Sequence, residues 1–252
     1  MAGTSATAKQ AVFAPLDGGD RVEAVIERLT GALSLGLIAD GEQLPGESEL
    51  AAALGVATVT LREALSQLRS QGLIETRRGR GGGSFANMSK GISESRLRKR
   101  LKSLGAHELR DLGDLQLAIG GMAAMRAAQR ADEQHLRHLE DLVEALALAT
   151  TPAERRRADG RFHVELAAAA QSARLAMLEM NVQAEQGDLL WIGSNGEAGG
   201  IEQFHEKMVA EHREILEAIK AGDSAGARQA LERHVEDGVE RLLDLHFLLN
   251  ED

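Results

Sequence analysis

The chain has 252 residues, a formal net charge of −10 and no cysteine. This length suits one or two domains with a sizeable core, and the lack of cysteine excludes disulfides and thiolate metal sites, which fits a reducing cytosol. Hydrophobic residues make up 43% of the chain and aromatic residues only 2%, which favours packed helices over a β-sandwich. No apolar run reaches the roughly 18 residues of a membrane span, so we expect a cytoplasmic protein.

Positive charge is concentrated in one part of the chain. Residues 62–100 contain ten basic and three acidic side chains, a net charge of +7, so the remainder carries −17. Contact with phosphates needs a local positive surface, whereas an acidic region is repelled by a duplex. The distribution indicates two domains, of which one meets nucleic acid.

The chain begins with a segment of weak pattern. Residues 1–20 lack the continuous apolar stretch of a signal peptide, and we expect them to be a mobile tail. Residues 21–34 then carry apolar side chains at helical spacing, from Val22 to Leu33, which predicts a first helix.

Residues 44–85 predict two short helices, a tight turn between them and a basic hairpin. Residues 47–54 carry apolar side chains on one helix face, and Gly55 permits a sharp turn. Thr58 is a plausible N-cap for the second helix, and Gly72 stops it. The following Arg- and Gly-rich run is too basic to be core. A helix-turn-helix with a basic wing is a device that reads DNA.

These residues resemble the winged-helix domain of the GntR family of bacterial transcription regulators. The motifs that carry the resemblance fall in the family's order: Leu44-Pro45, Leu54-Gly55-Val56, Leu61-Arg62-Glu63-Ala64-Leu65, Gly72-Leu73-Ile74 and the Arg-Gly wing. The resemblance implies that operator DNA is contacted by Ser48, Thr58, Thr60, Arg62, Arg78, Gly79 and Arg80. Many members carry arginine at the positions of Ser48 and Thr58. Because arginine is the usual reader of guanine, the operator cannot be borrowed from relatives.

The segment after the wing separates two domains. We predict a DNA-binding domain over residues 21–88, a linker and basic helix over 89–104, and a helical domain over 105–252. The basic run RLRKRLK in the middle segment is usually a solvated helix face. A second patch that contacts phosphate is the alternative.

Helical periodicity dominates the chain beyond residue 105. Predicted helices cover 108–130, 132–149, 152–170, 173–190, 201–220 and 224–249, with a loop over 193–200. Short connections favour antiparallel neighbours, so we expect a bundle of six or seven helices. The fold class is therefore mainly α, with a small β-wing.

Four polar residues of this region have spacing suited to a metal site. Asp159 and His163 lie four apart, on one helix face. His212 and His234 lie ten residues before and twelve after Gly222, so both sit about 15–18 Å from the turn, level with each other across an antiparallel pair. If the first helix faces the other two, one carboxylate and three imidazoles converge on a divalent cation.

This pattern resembles the ligand-binding FCD domain of the FadR subgroup of the GntR family. The resemblance lies in Asp-x-x-x-His, then His-Arg-x-Ile-Leu-x-Ala-Ile-x-x-Gly-Asp, then a late His. It implies that Asp159, His163, His212 and His234 hold a transition metal, zinc first, with nickel or another first-row ion as alternatives.

The resemblance also implies a small effector, by default a carboxylate bound partly through the metal. Where relatives often carry a pocket arginine in the first bundle helix, this chain has Gln116. Arg174 can supply the missing positive charge from another helix or point to solvent; both remain open. Gln116 and Arg174 are the predicted effector residues.

The predicted function is a homodimeric transcription regulator on a near-palindromic operator, probed by a small metabolite; repression relieved by ligand is the commoner logic in the family. Two alternatives remain open here. A metal-dependent enzyme needs a general base, and neither Glu165 nor Glu211 is distinguished by its context. An architectural DNA-binding protein would hold a structural metal and no effector.

Overall fold

The computed structural model describes residues 3–16, 21–87, 94–193 and 200–251. These residues form eleven α-helices and one two-stranded antiparallel sheet, so the fold is mainly α, as predicted. The helices are α1 (Ala6–Val12), α2 (Arg21–Ser34), α3 (Glu47–Leu54), α4 (Thr58–Ser70), α5 (Glu94–Ser103), α6 (Ala106–Arg130), α7 (Glu133–Ala147), α8 (Pro152–Ala169), α9 (Ala173–Gln186), α10 (Gly200–Lys220) and α11 (Ser224–Asn250). The strands are β1 (Ile74–Arg77) and β2 (Gly83–Ala86).

Residues 21–87, which we call the head, form the winged helix-turn-helix. Gly55 closes α3 at a φ of 68°, where a side chain would be strained, so the sharp turn occurs as predicted. The wing pairs β1 with β2 in register from Ile74 opposite Ala86 to Arg77 opposite Gly83. The N-cap prediction for Thr58 was wrong. Ala57 holds the extended cap conformation without a side-chain bond, and Thr58 is the first helical residue.

The expected mobile tail is instead an ordered segment over residues 3–16, which we call the strap. Its helix α1 is capped by Ser5, whose Oγ accepts a hydrogen bond from the backbone of Ala8. Ala8, Ala11 and Val12 form one apolar face and are fully buried. Seven residues are too few for a helical period to stand out in the sequence, and only the tertiary contacts reveal this face.

The strap contacts both domains. On the head side, Arg28 Nη1 donates to the carbonyl oxygen of Ala11 at 3.1 Å, and Thr4 Oγ1 donates to that of Leu37 at 2.9 Å. On the helical side, the backbone N–H of Ser5 donates to Glu165 Oε1 at 3.0 Å. The strap therefore ties the two domains of the chain together.

Helices α6 to α11 form the bundle, with α8 near its centre. α6 packs against α11, and α8 packs against α6, α7 and α9. Every residue of α8 from Ala158 to Ala169 is buried, because its small side chains let neighbouring helices approach closely. α9 ends in a 3₁₀ turn, Gly187–Trp191, rather than running on to residue 190 as predicted. Among the described helices, none combines the length and hydrophobicity needed to cross a membrane.

The head packs directly on the bundle through α2 and α9. A Cβ at Gly31 would lie 2.8 Å from Ala184 Cβ, so the two backbones meet where only glycine fits. Leu35, just after α2, packs on Gly160 of α8. Movement of α8 would therefore be felt by the head.

The predicted basic helix exists as α5, and its other face is structural. Leu97 and Leu101 are buried in a small core with Leu109, Leu189 and Ile192 of the bundle region. The flanking basic side chains stay outside this core. The predicted linker and the loop over 193–200 fall largely on residues 88–93 and 194–199, which lie outside the described residues.

Candidate metal centre and nucleic-acid interface

The four predicted metal ligands meet inside the bundle. α8 supplies Asp159 and His163 one turn apart, while α10 and α11 supply His212 and His234 across their antiparallel contact. One ligand atom from each residue lies within 4.8 Å of all the others, and all four residues are buried. Helical spacing thus sets each pair, and the packing of α8 against the other helices joins them.

Distances inside the cluster point its ligand atoms at a common centre. His163 Nε2 lies 3.0 Å from His234 Nε2. Asp159 Oδ1 lies 3.3 Å from His212 Nε2 and 3.8 Å from His163 Nε2. Three nitrogens and one oxygen in this arrangement match the donor set of a first-row transition metal.

A second layer of contacts orients the ligands. Trp191 Nε1 donates to Asp159 Oδ2 at 3.0 Å, which turns Oδ1 toward the histidines. Glu211 Oε2 lies 2.8 Å from His234 Nδ1, so the carboxylate holds the proton there and leaves Nε2 free to coordinate. Phe162 stacks on His212 at 4.2 Å between ring centroids.

Two buried polar atoms of the cluster lack hydrogen bonds within the described residues. Asp159 Oδ1 and His212 Nε2 make none, although other buried polar groups around them are paired. A buried polar atom without a partner costs roughly 1–3 kcal/mol. A cation bound between them would satisfy both atoms, so the residues present fit a metal.

Electrostatics keep the imidazoles in the form that binds metals. Burial, together with the nearby His234, lowers the pKa of His163 and of His212 well below the usual histidine value, so both are neutral near pH 7. Burial raises the pKa of Asp159, while His234 and the Trp191 hydrogen bond oppose that rise. A bound cation would favour the carboxylate form.

The predicted DNA-contacting residues lie on the outer surface of the head. The side chains of Thr58 and Thr60 are half-buried at the start of α4, and the other five predicted positions are exposed: Ser48, Arg62, Arg78, Gly79 and Arg80. Arg62 Nε forms an ion pair with Glu47 at 2.6 Å, which orients it beside α3. The structure thus places them around α4 and the wing tip, where a major and a minor groove would be met together.

Two family models cover most of the chain. "Bacterial regulatory proteins, gntR family" matches residues 21–82, and "FCD domain" matches residues 111–237. The chain belongs to the GntR family. It is a DNA-binding transcription regulator with an FCD domain, and its relatives are regulators rather than enzymes.

Relatives in the GntR family are similar over nearly their whole length. A Mycobacterium gastri protein, provisionally described as HTH-type transcriptional regulator RmpR, is 37% identical over 94% of this chain and 86% of its own. An Escherichia coli K12 protein, provisionally described as an L-lactate dehydrogenase operon regulatory protein, is 31% identical over 86% and 81%. The solved structure of E. coli McbR/YncC has a TM-score of 0.52 at 20% identity, covering 89% and 98%, which supports the fold.

The two predicted effector residues of this GntR-family chain have different fates. Gln116 is buried and lines a small cavity beside His163 and His234, with a volume of about 10 Å³. Arg174 is exposed in the first turn of α9 and is not among the residues that line this cavity. The solvent-facing alternative for Arg174 is the one that the structure shows.

Sequence reasoning missed the residues that support the site. Trp191 lies far from Asp159 in sequence, and no spacing signal connects them. Glu211 was noted next to His212 only as a candidate general base, whereas it orients His234. Val59 was also missed: it is 73% exposed on α4, and an exposed apolar side chain there suits contact with a thymine methyl group.

Proposed function

We propose that this GntR-family protein is a homodimeric repressor that releases its operator when a small organic acid binds at a metal centre in the bundle. The observation that carries the proposal is the convergence of Asp159, His163, His212 and His234, with ligand atoms within 4.8 Å of one another. The unpaired Asp159 Oδ1 and His212 Nε2 support it. An operator target places the protein in the cytoplasm.

The donor set suits zinc first, with nickel or another first-row ion as alternatives. Neutral imidazole and carboxylate are ligands that all these ions accept, so availability decides among them. Four protein ligands leave positions open in a five- or six-coordinate site, and a carboxylate fits such a position. The relative described as a regulator of an L-lactate dehydrogenase operon makes an organic acid a reasonable first class to test.

The contacts of α8 give a route from the metal centre to the head. One face of α8 carries Asp159 and His163, while Gly160 contacts Leu35 of the head and Glu165 holds the strap. A ligand that shifts α8 by a fraction of an ångström would therefore shift the head. It switches the protein only if it binds one arrangement better than the other.

Operator binding is assigned to the exposed residues around α4 and the wing. Arg78 and Arg80 are placed to enter a minor groove, and Arg62, Thr58 and Ser48 to meet the adjacent major groove. Two heads of a two-fold dimer would read the halves of a near-palindrome.

The first experiment measures the metal content of tag-free protein by elemental analysis. Wild type is expected to hold about one equivalent of a transition metal per chain, after incubation with zinc or nickel if necessary. The double variant His212→Ala/His234→Ala is expected to hold none. His107→Ala removes an exposed histidine outside the cluster and should keep the metal. Metal-free wild type after such incubation would contradict the proposed centre.

The second experiment measures release of operator DNA by fluorescence anisotropy, with metal-loaded protein and a panel of organic acids. At least one acid is expected to weaken operator binding in wild type and to have no effect in the double histidine variant. An architectural protein would show tight DNA binding that no acid changes, at any metal occupancy.

A further inference from the structure

A second buried polar cluster lies beside the metal centre, between α6 and α9. We call it the amide cluster, and its members are Gln116, Glu179, Gln183 and Gln186. Each side chain is at most 6% exposed. Gln116 and Gln186 line the same cavity as His163 and His234. A ligand held at the metal centre would therefore meet the amide cluster.

Hydrogen bonds inside the amide cluster leave acceptors over. Gln183 Nε2 donates to Glu179 Oε1 at 3.0 Å, Gln116 Nε2 donates to the same oxygen at 3.5 Å, and Gln186 Nε2 donates to Gln116 Oε1. Glu179 Oε2, Gln183 Oε1 and Gln186 Oε1 accept no bond within the described residues. A glutamine amide can be turned over, but both atoms of the Glu179 carboxyl are oxygens in any orientation.

The charge around the cavity decides which end of a ligand goes where. None of the described residues that line it is an arginine or a lysine, and Arg174 lies at the surface. A carboxylate of the ligand is therefore matched by the metal centre and not by the amide cluster. A second carboxylate would face Glu179, and two carboxylates in a buried site repel each other.

Hydroxyl groups match the amide cluster better than an ammonium group. Glutamine amides and hydroxyls both donate and accept, whereas an ammonium only donates and needs a full negative charge nearby when buried. Burial raises the pKa of Glu179 to about 7, so this carboxyl is only partly ionised near neutrality. A neutral donor then binds without leaving an uncompensated charge.

We propose that the amide cluster recognises hydroxyl groups, so that the effector is a hydroxylated monocarboxylate whose hydroxyls bond to Glu179, Gln183 and Gln186. The inference rests on the proposed function, which puts the carboxylate at the metal centre. The cavity of about 10 Å³ holds roughly one water molecule. Binding therefore displaces lining side chains such as Met208 and Leu242, and this displacement can move the helices.

The test compares acids that differ only in hydroxyl groups, by calorimetry on metal-loaded, full-length protein. Lactate is compared with propionate, and gluconate with hexanoate; succinate and alanine complete the panel. At least one hydroxylated acid should bind about tenfold or more tighter than its counterpart, which is the contribution of one net hydrogen bond. Equal affinity within both pairs, or tighter binding of succinate or alanine, would overturn the inference.

Variants assign the preference to the amide cluster. Glu179→Gln replaces an acceptor oxygen by an amide donor and should reduce the hydroxyl preference about fivefold or more. Glu185→Gln, an exposed change on the same helix, should leave it unchanged. A preference that survives in Glu179→Gln contradicts the inference. If that variant does not fold, judged by circular dichroism, Gln186→Leu provides the same test from the cavity lining.

The outcome is separable from that of the proposed function. Metal content and operator binding are measured on the same samples. Protein that holds metal and binds DNA but binds none of the hydroxylated acids overturns the hydroxyl assignment and leaves the metal centre standing. Protein without metal overturns the proposed function itself.

Discussion

The head and the bundle hold their functional polar residues in opposite ways. In the head, five of the seven predicted DNA-contacting side chains are exposed, and an ion pair such as Arg62–Glu47 lies at the surface. In the bundle, all four metal ligands are buried and two of them are oriented by Trp191 and Glu211. Changes in the head should therefore alter DNA affinity alone, whereas changes in the bundle should alter both ligand binding and stability.

The largest expected effect is stabilisation of the bundle by metal. A cation that binds only the folded chain adds about 4 kcal/mol to the free energy of unfolding when its free concentration is about 1,000 times Kd. Urea unfolding with and without zinc measures this gain. His212→Ala/His234→Ala should lose it, while Arg78→Ala should keep it. An equal gain in the double histidine variant would place the stabilising metal elsewhere.

The second effect concerns pH and the buried Glu179. Burial raises its pKa from 4.5 to about 7, opposed by the Gln183 and Gln116 hydrogen bonds and by His234, and assisted by Asp159. A raised carboxyl pKa stabilises the folded chain fully below about pH 4.5, and this contribution is lost as pH rises through 7. Glu179→Gln should therefore gain about 3 kcal/mol relative to wild type between pH 4.5 and 8.

The measurement is the difference in unfolding free energy between metal-free wild type and Glu179→Gln at several pH values. Taking the difference removes the titration of groups that both proteins share. Glu185→Gln changes the same charge at an exposed position of α9, and its difference from wild type should vary much less with pH. A flat profile for Glu179→Gln would mean that Glu179 titrates normally.

The head and the bundle also differ in how much the sequence reveals. α4 and the wing carry their signals locally, as glycines, arginines and apolar spacing over about forty residues. The metal ligands are also visible, because Asp159 and His163 are one helical turn apart and His212 and His234 are placed symmetrically about a turn. The helices themselves were predicted within a few residues, because apolar periodicity is strong along the bundle.

What the sequence did not reveal depends on contacts between distant segments. The hydrogen bond from Trp191 to Asp159 and the amide cluster of α6 and α9 arise only when the helices pack. The strap was taken for a mobile tail because α1 has seven residues, and its apolar face matters only against the head and α8. Arg174 was left undecided because a helix start at Ser172 does not say which side of α9 faces the cavity.

The third effect tests the strap, which joins the two regions. Deleting residues 1–14 exposes the surface under Ala11 and Val12 and leaves Arg28 without its strap carbonyls. We expect a loss of roughly 3 kcal/mol of unfolding free energy, from buried apolar area and hydrogen bonds. Limited proteolysis should also cut the head from the bundle faster, because the deletion removes contacts to both.

A control variant separates the strap's packing from its surface charge. Lys9→Ala breaks the ion pair to Glu42, whose side chains are 44% and 34% exposed. Such a pair contributes at most about 1 kcal/mol, so Lys9→Ala should resemble wild type in both stability and proteolysis. If the deletion also behaves like wild type, the strap does not hold the domains together.

The smallest effect on stability, and the sharpest on DNA, comes from the wing. Arg78→Ala and Arg80→Ala are exposed changes that should leave unfolding within about 0.5 kcal/mol of wild type. Each should weaken operator binding several-fold and reduce the slope of log K against log salt by about 0.9 per phosphate contact. Arg137→Ala removes the same charge from an exposed position of the bundle, so it should change neither the affinity nor the slope. An equal loss in Arg137→Ala would mean that the overall charge of the chain, rather than the wing, sets DNA affinity, and the contrast between head and bundle would then fail.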